Sequence, residues 1–194
     1  SAALWVARHC YCCAGRLGGG SRLQADLGVV AVTDQDQDTL EHPRTFLLVV
    51  DSSAELSAAL RFACRRALHT NGSVGLFHAV EPSDFHHFAS IADLMDTEAR
   101  SEAEKLLQRV AADVQRQTGR MPTLYLREGD TNEQLLAVIE EQADISVLVL
   151  GASAGEEGPG PLVTALSGRL AGKIALPVTI VPGNLTADEI DALT

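Results

Sequence analysis

Val147-Leu-Val-Leu-Gly151, a glycine-rich turn, a helical stretch, and then Pro177-Val-Thr-Ile-Val-Pro182 form the run whose reading decides the fold. Val147 to Leu150 are uninterruptedly apolar, as in a parallel strand buried on both faces. Buried strand, glycine turn, helix and buried strand together make the closing half of a doubly wound sheet. In such sheets ligands bind where the carboxyl ends of the strands meet the following turns, so residues 151–160 are where a function is sought. That turn carries Gly151, Gly155, Gly158 and Gly160, but also Glu156 and Glu157. Two carboxylates near a surface each oppose a phosphate by on the order of a kcal/mol.

The same alternation runs upstream. Residues 46–50 (Phe-Leu-Leu-Val-Val) predict a first strand, Asp51-Ser-Ser a turn, and residues 54–70 a helix with Leu56, Leu60, Ala63 and Ala67 on one face. Ser52-x-x-Glu55 predicts a capping box at its start and Asn71-Gly72 its stop. Residues 74–80 predict the second strand. A long helix is expected over 84–118, with Phe88, Ile91 and Met95, then Ala103, Leu106, Leu107, Val110 and Val114 at helical spacing. The charge pattern shifts near Asp96-Thr97, a place where that helix could break. Residues 123–127 predict a third strand. Gly129-Asp-Thr-Asn opens a helix starting near Asn132, residues 145–150 a fourth strand, 162–173 a further helix and 178–181 the last strand. Short connections in this order demand right-handed crossovers and a parallel sheet. Within the tail 184–194, Thr186-x-x-Glu189 predicts a short capped helix.

The bulk numbers exclude several classes. The 194 residues suffice for one domain with a core, and 46% are hydrophobic. A net charge of −11 argues against a nucleic-acid or anionic-membrane surface, and 4% aromatics argue against base-stacking platforms. No apolar run reaches the roughly 18 residues of a membrane helix. Residues 1–43 differ from the rest: they carry Gly18-Gly-Gly20 and Asp34-Gln-Asp-Gln-Asp38, and are expected to be a poorly ordered extension. The Arg-bearing, acid-poor start leaves a transit peptide open, and the missing Met equally fits a processed, trimmed or artefactual start. Cys10, Cys12 and Cys13 beside His9 lack the second ligand pair of a structural zinc site, so no metal is assigned. Cys64 reads as a small buried hydrophobe, and a reducing compartment follows from the absence of a disulfide framework.

Several catalytic signatures are missing from the sequence. Asp51-Ser-Ser-Ala-Glu follows the first strand where a dinucleotide fold would carry G-x-G-x-x-G, and no P-loop or G-x-S-x-G elbow occurs. The same turn lacks the S-G-G-x-D-S-like pattern of an ATP-pyrophosphate-cleaving ligase. His86 and His87 are adjacent and face apart on a helix. Asp51, at the carboxyl end of the first strand, is the best-placed single residue: it either accepts hydrogen bonds from a ligand or tightens its own turn.

From about Arg44 to Pro182 the chain resembles the universal stress proteins. The likeness rests on the first strand ending in Asp51 and a serine-bearing turn, on Phe77-His-Ala-Val-Glu-Pro82, on Arg127-Glu-Gly-Asp130, and on Val147–Gly151 spaced to Leu176-Pro-Val178. The resemblance implies an α/β fold of the adenine-nucleotide alpha-hydrolase-like kind. That is an open five-stranded parallel sheet in the order 3-2-1-4-5 with helices on both faces. It also implies a homodimer and a cytoplasmic role in stress survival. ATP-binding members share a turn written G-x2-G-x9-G-[ST]. Counted from Gly151, those positions here are Ala154, Thr164 and Ala165, so two glycines and the hydroxyl are replaced. A displaced match, Gly155 and Gly158 with Gly168, puts Arg169 at the hydroxyl position and Gly168 in the middle of the last crossover helix.

The expected function is therefore a non-catalytic, dimeric stress-response protein acting through protein contacts. No cofactor is assigned. The alternative is an ATP-binding or adenine-nucleotide sensor, or slow ATPase, with Asp51, Ala79, Gly129, Gly151, Gly155, Gly158 and Thr164 as candidate contacts. The candidate dimer interface is the last strand, Val178, Thr179, Ile180 and Val181, an apolar edge that needs covering.

Overall fold

Apolar runs with no polar alternation must bury both faces, and the sheet answers that demand. The computed structural model describes residues 44–81, 89–155, 158–168 and 170–194, with backbone alone for 89–94. All fall in the unit Asp38–Thr194. In chain order they form β1 (Thr45–Val49), α1 (Leu56–His69), β2 (Ser73–Val80), α2 (Ala89–Thr118) and β3 (Thr123–Glu128). Then come α3 (Thr131–Glu141), β4 (Ile145–Ala152), α4 (Pro161–Ser167), β5 (Val178–Pro182) and α5 (Ala187–Leu193). The five strands pair in parallel in the order β3-β2-β1-β4-β5, the expected order.

Alternate residues of the central strands feed two core layers. Leu48, Val50 and Leu76 face α1 and α2 with Ala59, Ala63, Leu107, Val110 and Val114, and Ile190 of α5 closes that layer. Leu47, Phe77, Leu148 and Leu150 face α3 and α4 with Leu135, Val138, Val163 and Leu166. Truncating a fully buried leucine such as Leu47 or Leu148 to alanine costs about 2–5 kcal/mol. Thr45 is the buried polar residue among those described; its hydroxyl donates to Asp144 Oδ2 at 2.8 Å and lies 3.0 Å from Ser73 Oγ. That bond lies just before the point where the β1–β4 register shifts, between Thr45 and Phe46.

Several expectations change in detail. The Ser52–Glu55 capping box does not form: α1 starts at Leu56, and Glu55 sits before it in helical conformation with no side-chain cap. Asp51 takes over the turn instead. The α2 helix runs unbroken through Asp96-Thr97, because a charge shift on a solvated face removes no backbone hydrogen bond. Met95, expected on the apolar stripe, is exposed. α4 is shorter than the expected 162–173, and Gly168 is its C-cap rather than a mid-helix residue. α3 starts at Thr131, where the Asp130 side chain accepts from Glu133 N. Thr186 and Glu189 form the capping box of α5 as their spacing predicts. The Cys10–Cys13 cluster, His86, His87, Glu156, Glu157 and Arg169 lie outside the described residues, as do the expectations for 1–43.

Candidate functional site

β1 and β4 are neighbours whose following helices lie on opposite faces of the sheet, which makes the gap between their carboxyl ends the switch point. A cavity of about 190 Å³ opens there, walled by Val49, Asp51, Leu150, Gly151, Pro161 and Val163. Among the described residues two carboxylates, Asp51 and Glu55, border it, and no Lys or Arg does. Asp51 is exposed, and its Oδ1 accepts from Ser53 N at 3.0 Å and from Ser53 Oγ at 2.6 Å. The carboxylate thus closes an Asx turn on its own loop and leaves Oδ2 toward solvent.

Gly151 is where the sequence predicts it, yet its smallness serves packing. A Cβ there would lie 3.1 Å from Glu55 Cβ and 3.2 Å from the Glu55 carbonyl carbon. Gly183, just after β5, is tighter still: a Cβ would stand 2.4 Å from Glu55 Cγ and 2.9 Å from Glu55 Cβ. The two glycines let the first turn of α1 settle onto the ends of β4 and β5.

The remaining candidates scatter. Gly129 ends β3 with φ +124°, a conformation that favours glycine, and its N–H donates to Val80 O at 2.9 Å. It does not border the β1–β4 cavity. Ala79 borders a separate, larger cleft against α2. Gly155 donates its N–H to Ser153 Oγ at 3.2 Å, and Gly158 donates to Gly155 O at 3.3 Å, so this turn is partly bonded to itself. The Thr164 hydroxyl donates to Gly160 O at 2.8 Å, inside α4. Asp51 and Gly151 therefore share the cavity, whereas Ala79, Gly129, Gly155, Gly158 and Thr164 do not line it. Sequence reasoning missed Glu55, Ser153 and Pro161 as lining residues. Pro161 was legible as the first residue of a helix, where its lack of an N–H also removes one donor from the turn.

A family model described as the Universal stress protein family matches residues 43–182. The chain belongs to the universal stress protein family. Solved members align with the universal stress domain over nearly their whole length. "Universal stress protein UspA from Lactobacillus plantarum" superposes with a TM-score of 0.60 at 16% identity, covering 71% of this chain and 97% of that one. A universal stress family protein from Burkholderia pseudomallei gives 0.57 at 21% identity, covering 73% and 98%. At these identities the likeness speaks for the fold. The universal stress protein of Archaeoglobus fulgidus in complex with dAMP aligns more loosely, with a TM-score of 0.47 at 17% identity and coverage of 71% and 97%. Among curated proteins, none matches the chain in sequence.

Within the described residues of this universal stress domain, no group of three or more His, Cys, Asp or Glu could hold a metal ion. No described helix is long and apolar enough to cross a membrane. The cavity can accept hydrogen bonds from a ligand's hydroxyl or amine groups through its carboxylates. Among the described residues it offers no side-chain cation to neutralise a phosphate.

Proposed function

We propose that the chain acts as a non-catalytic, homodimeric universal stress protein in the cytoplasm, working through protein contacts and holding no ATP tightly. One observation carries the nucleotide half of this reading: among the described residues, the switch-point cavity is bordered by the carboxylates Asp51 and Glu55 and by no cation. Its volume of about 190 Å³ is also below the roughly 300–1,000 Å³ usual for small-molecule sites. Ala154, Thr164 and Ala165 stand where ATP-binding members carry their two further glycines and hydroxyl. Calorimetric titration of the full chain with magnesium and ATP is expected to give no saturable heat up to millimolar nucleotide. Micromolar binding would overturn the proposal.

The dimer half is supported by β5. It lies at the edge of the sheet, with Val178 at 38% and Ile180 at 42% exposure, both on the α3/α4 side. Unpaired apolar edges invite pairing, and the β5 of a second copy would cover this one. Light scattering after size exclusion is expected to give twice the chain mass, and Ile180→Lys to give the single mass. A wild-type monomer would sink this half.

A nucleotide sensor or slow ATPase is the second reading, favoured by the meeting of Asp51 and Gly151 in one cavity. It requires that Asp51→Ala weaken a measurable nucleotide affinity while leaving the fold intact.

A further inference from the structure

A second cavity, about 1130 Å³, opens on the α1/α2 face between the carboxyl end of β2 and the outer turns of α2. Its position satisfies the general rule for open α/β sheets, since ligands collect beyond the carboxyl ends of strands. It is a different place from the β1–β4 crevice: of the candidate nucleotide contacts only Ala79 touches it.

The walls have a definite chemistry. Leu106, packed half-buried against the core, forms part of the apolar floor. Lys105 and Arg109 stand one turn apart on the rim of α2, a spacing that puts both on one face of a helix. Neither makes an ion pair among the described residues; Arg109 Nε donates only to Lys105 O, at 3.4 Å. Both are exposed, so their charges are free to meet a ligand at the cavity rim. Glu81 and Glu102 also border the cleft, and the Glu81 carboxylate accepts from the Thr131 hydroxyl at 3.1 Å.

On the strand side stands His78. Its Nδ1 lies 2.6 Å from Val50 O, and a carbonyl can only accept, so Nδ1 carries the proton and donates. That bond fixes the ring and leaves Nε2 for another partner. Ser52, the exposed turn residue beside it in the lining, has no hydrogen bond within the described structure.

We infer that this cleft binds a small amphipathic organic anion, its apolar body along Leu106 and its charged group held by Lys105 and Arg109, with His78 and Ser52 as polar contacts on the opposite wall. A multiply charged nucleotide is disfavoured, because Glu81 and Glu102 stand at the same rim. A single carboxylate or sulfonate on an apolar body suits two cations and a half-apolar wall. The inference is independent of the nucleotide question, since it uses other residues on the other side of the sheet.

The probe is 8-anilinonaphthalene-1-sulfonate, an aromatic body with one anionic group, titrated against the full chain by fluorescence. One saturable site is expected. Lys105→Glu with Arg109→Glu should weaken it about tenfold or more. Ala99→Trp, on the half-buried α2 wall, should weaken it by occupying part of the space. Ser153→Glu, in the wall of the β1–β4 crevice, should leave it unchanged, which separates this site from that crevice. In the wild-type chain, the His78 ring nitrogen resonances should shift as the probe saturates, a readout that needs no variant to fold. No saturable binding overturns the inference. So does binding that neither the charge reversal nor Ala99→Trp alters, and so does saturation with His78 unmoved.

Discussion

Glu55 shows how a glycine that reads as a ligand contact can serve packing instead. Its side chain and backbone occupy the space a Cβ would take at both Gly151 and Gly183. Gly183→Ala would push a methyl to 2.9 Å from Glu55 Cβ and 3.1 Å from its Cα, and the α1 backbone has to give. Overpacking of this kind costs about 1–3 kcal/mol. Urea unfolding is expected to show that loss for Gly183→Ala and almost none for Gly172→Ala, where nothing stands within 4 Å of the added methyl. Equal effects would mean that the Glu55 contact is irrelevant. Asp51 carries the parallel lesson. The sequence left two roles open, ligand acceptor or turn residue, and the structure gives one carboxylate oxygen to Ser53 twice over. A side chain that bonds its own loop makes a turn legible in the sequence; which oxygen stays free is a matter of three-dimensional placement.

Between elements, α5 and α1 make the most heavily charged contact among the described residues. Arg61 and Arg65, one turn apart on α1, each grip Asp191 of α5 through two bonds of 2.7–2.9 Å. Hydrogen bonds from Arg61 and then Arg65 hold the Asp191 carboxyl down at about 2, against an ordinary value of 3.8. A depressed folded-state value means the stabilisation is present above the unfolded value and is lost as pH falls from about 4 through about 2. The midpoint of thermal unfolding should therefore fall more steeply across that window in the wild type than in Asp191→Asn. Identical slopes would show that the double clasp contributes nothing measurable, as with many exposed ion pairs. None of this was visible in the sequence, because the partners are 126 and 130 residues apart. The capping box that starts the same helix was visible, because its two residues are three apart.

Taken whole, the domain is two apolar layers around one sheet, and Cys64 sits in the deeper part of one of them. It is fully buried, and burial followed by the Asp113 charge pushes its thiol up to about 12. A thiol in that state offers almost no thiolate at neutral pH. Alkylation of Cys64, followed by peptide mapping to separate it from Cys10, Cys12 and Cys13, should therefore be negligible in the native chain. It should rise in step with global unfolding in denaturant. Fast native labelling would mean that the α1 layer opens locally without unfolding the rest.

The strand and helix succession, the parallel sheet and the substituted glycine turn follow from the sequence by itself. Continuous apolar runs, turn residues and helical spacing are local signals, each readable within a dozen residues. The strand order followed from the family resemblance, and the sheet has it. Tertiary structure alone decided which candidates meet. It joined Asp51 with Gly151, left Thr164 bonded inside α4, and brought Glu55 into the crevice wall. It also set Lys105 and Arg109 over a cleft ending at His78, and seated α5 on two arginines of α1. The reason is physical: periodicity specifies which face of an element is buried, whereas crossovers and register determine which distant side chains share that space.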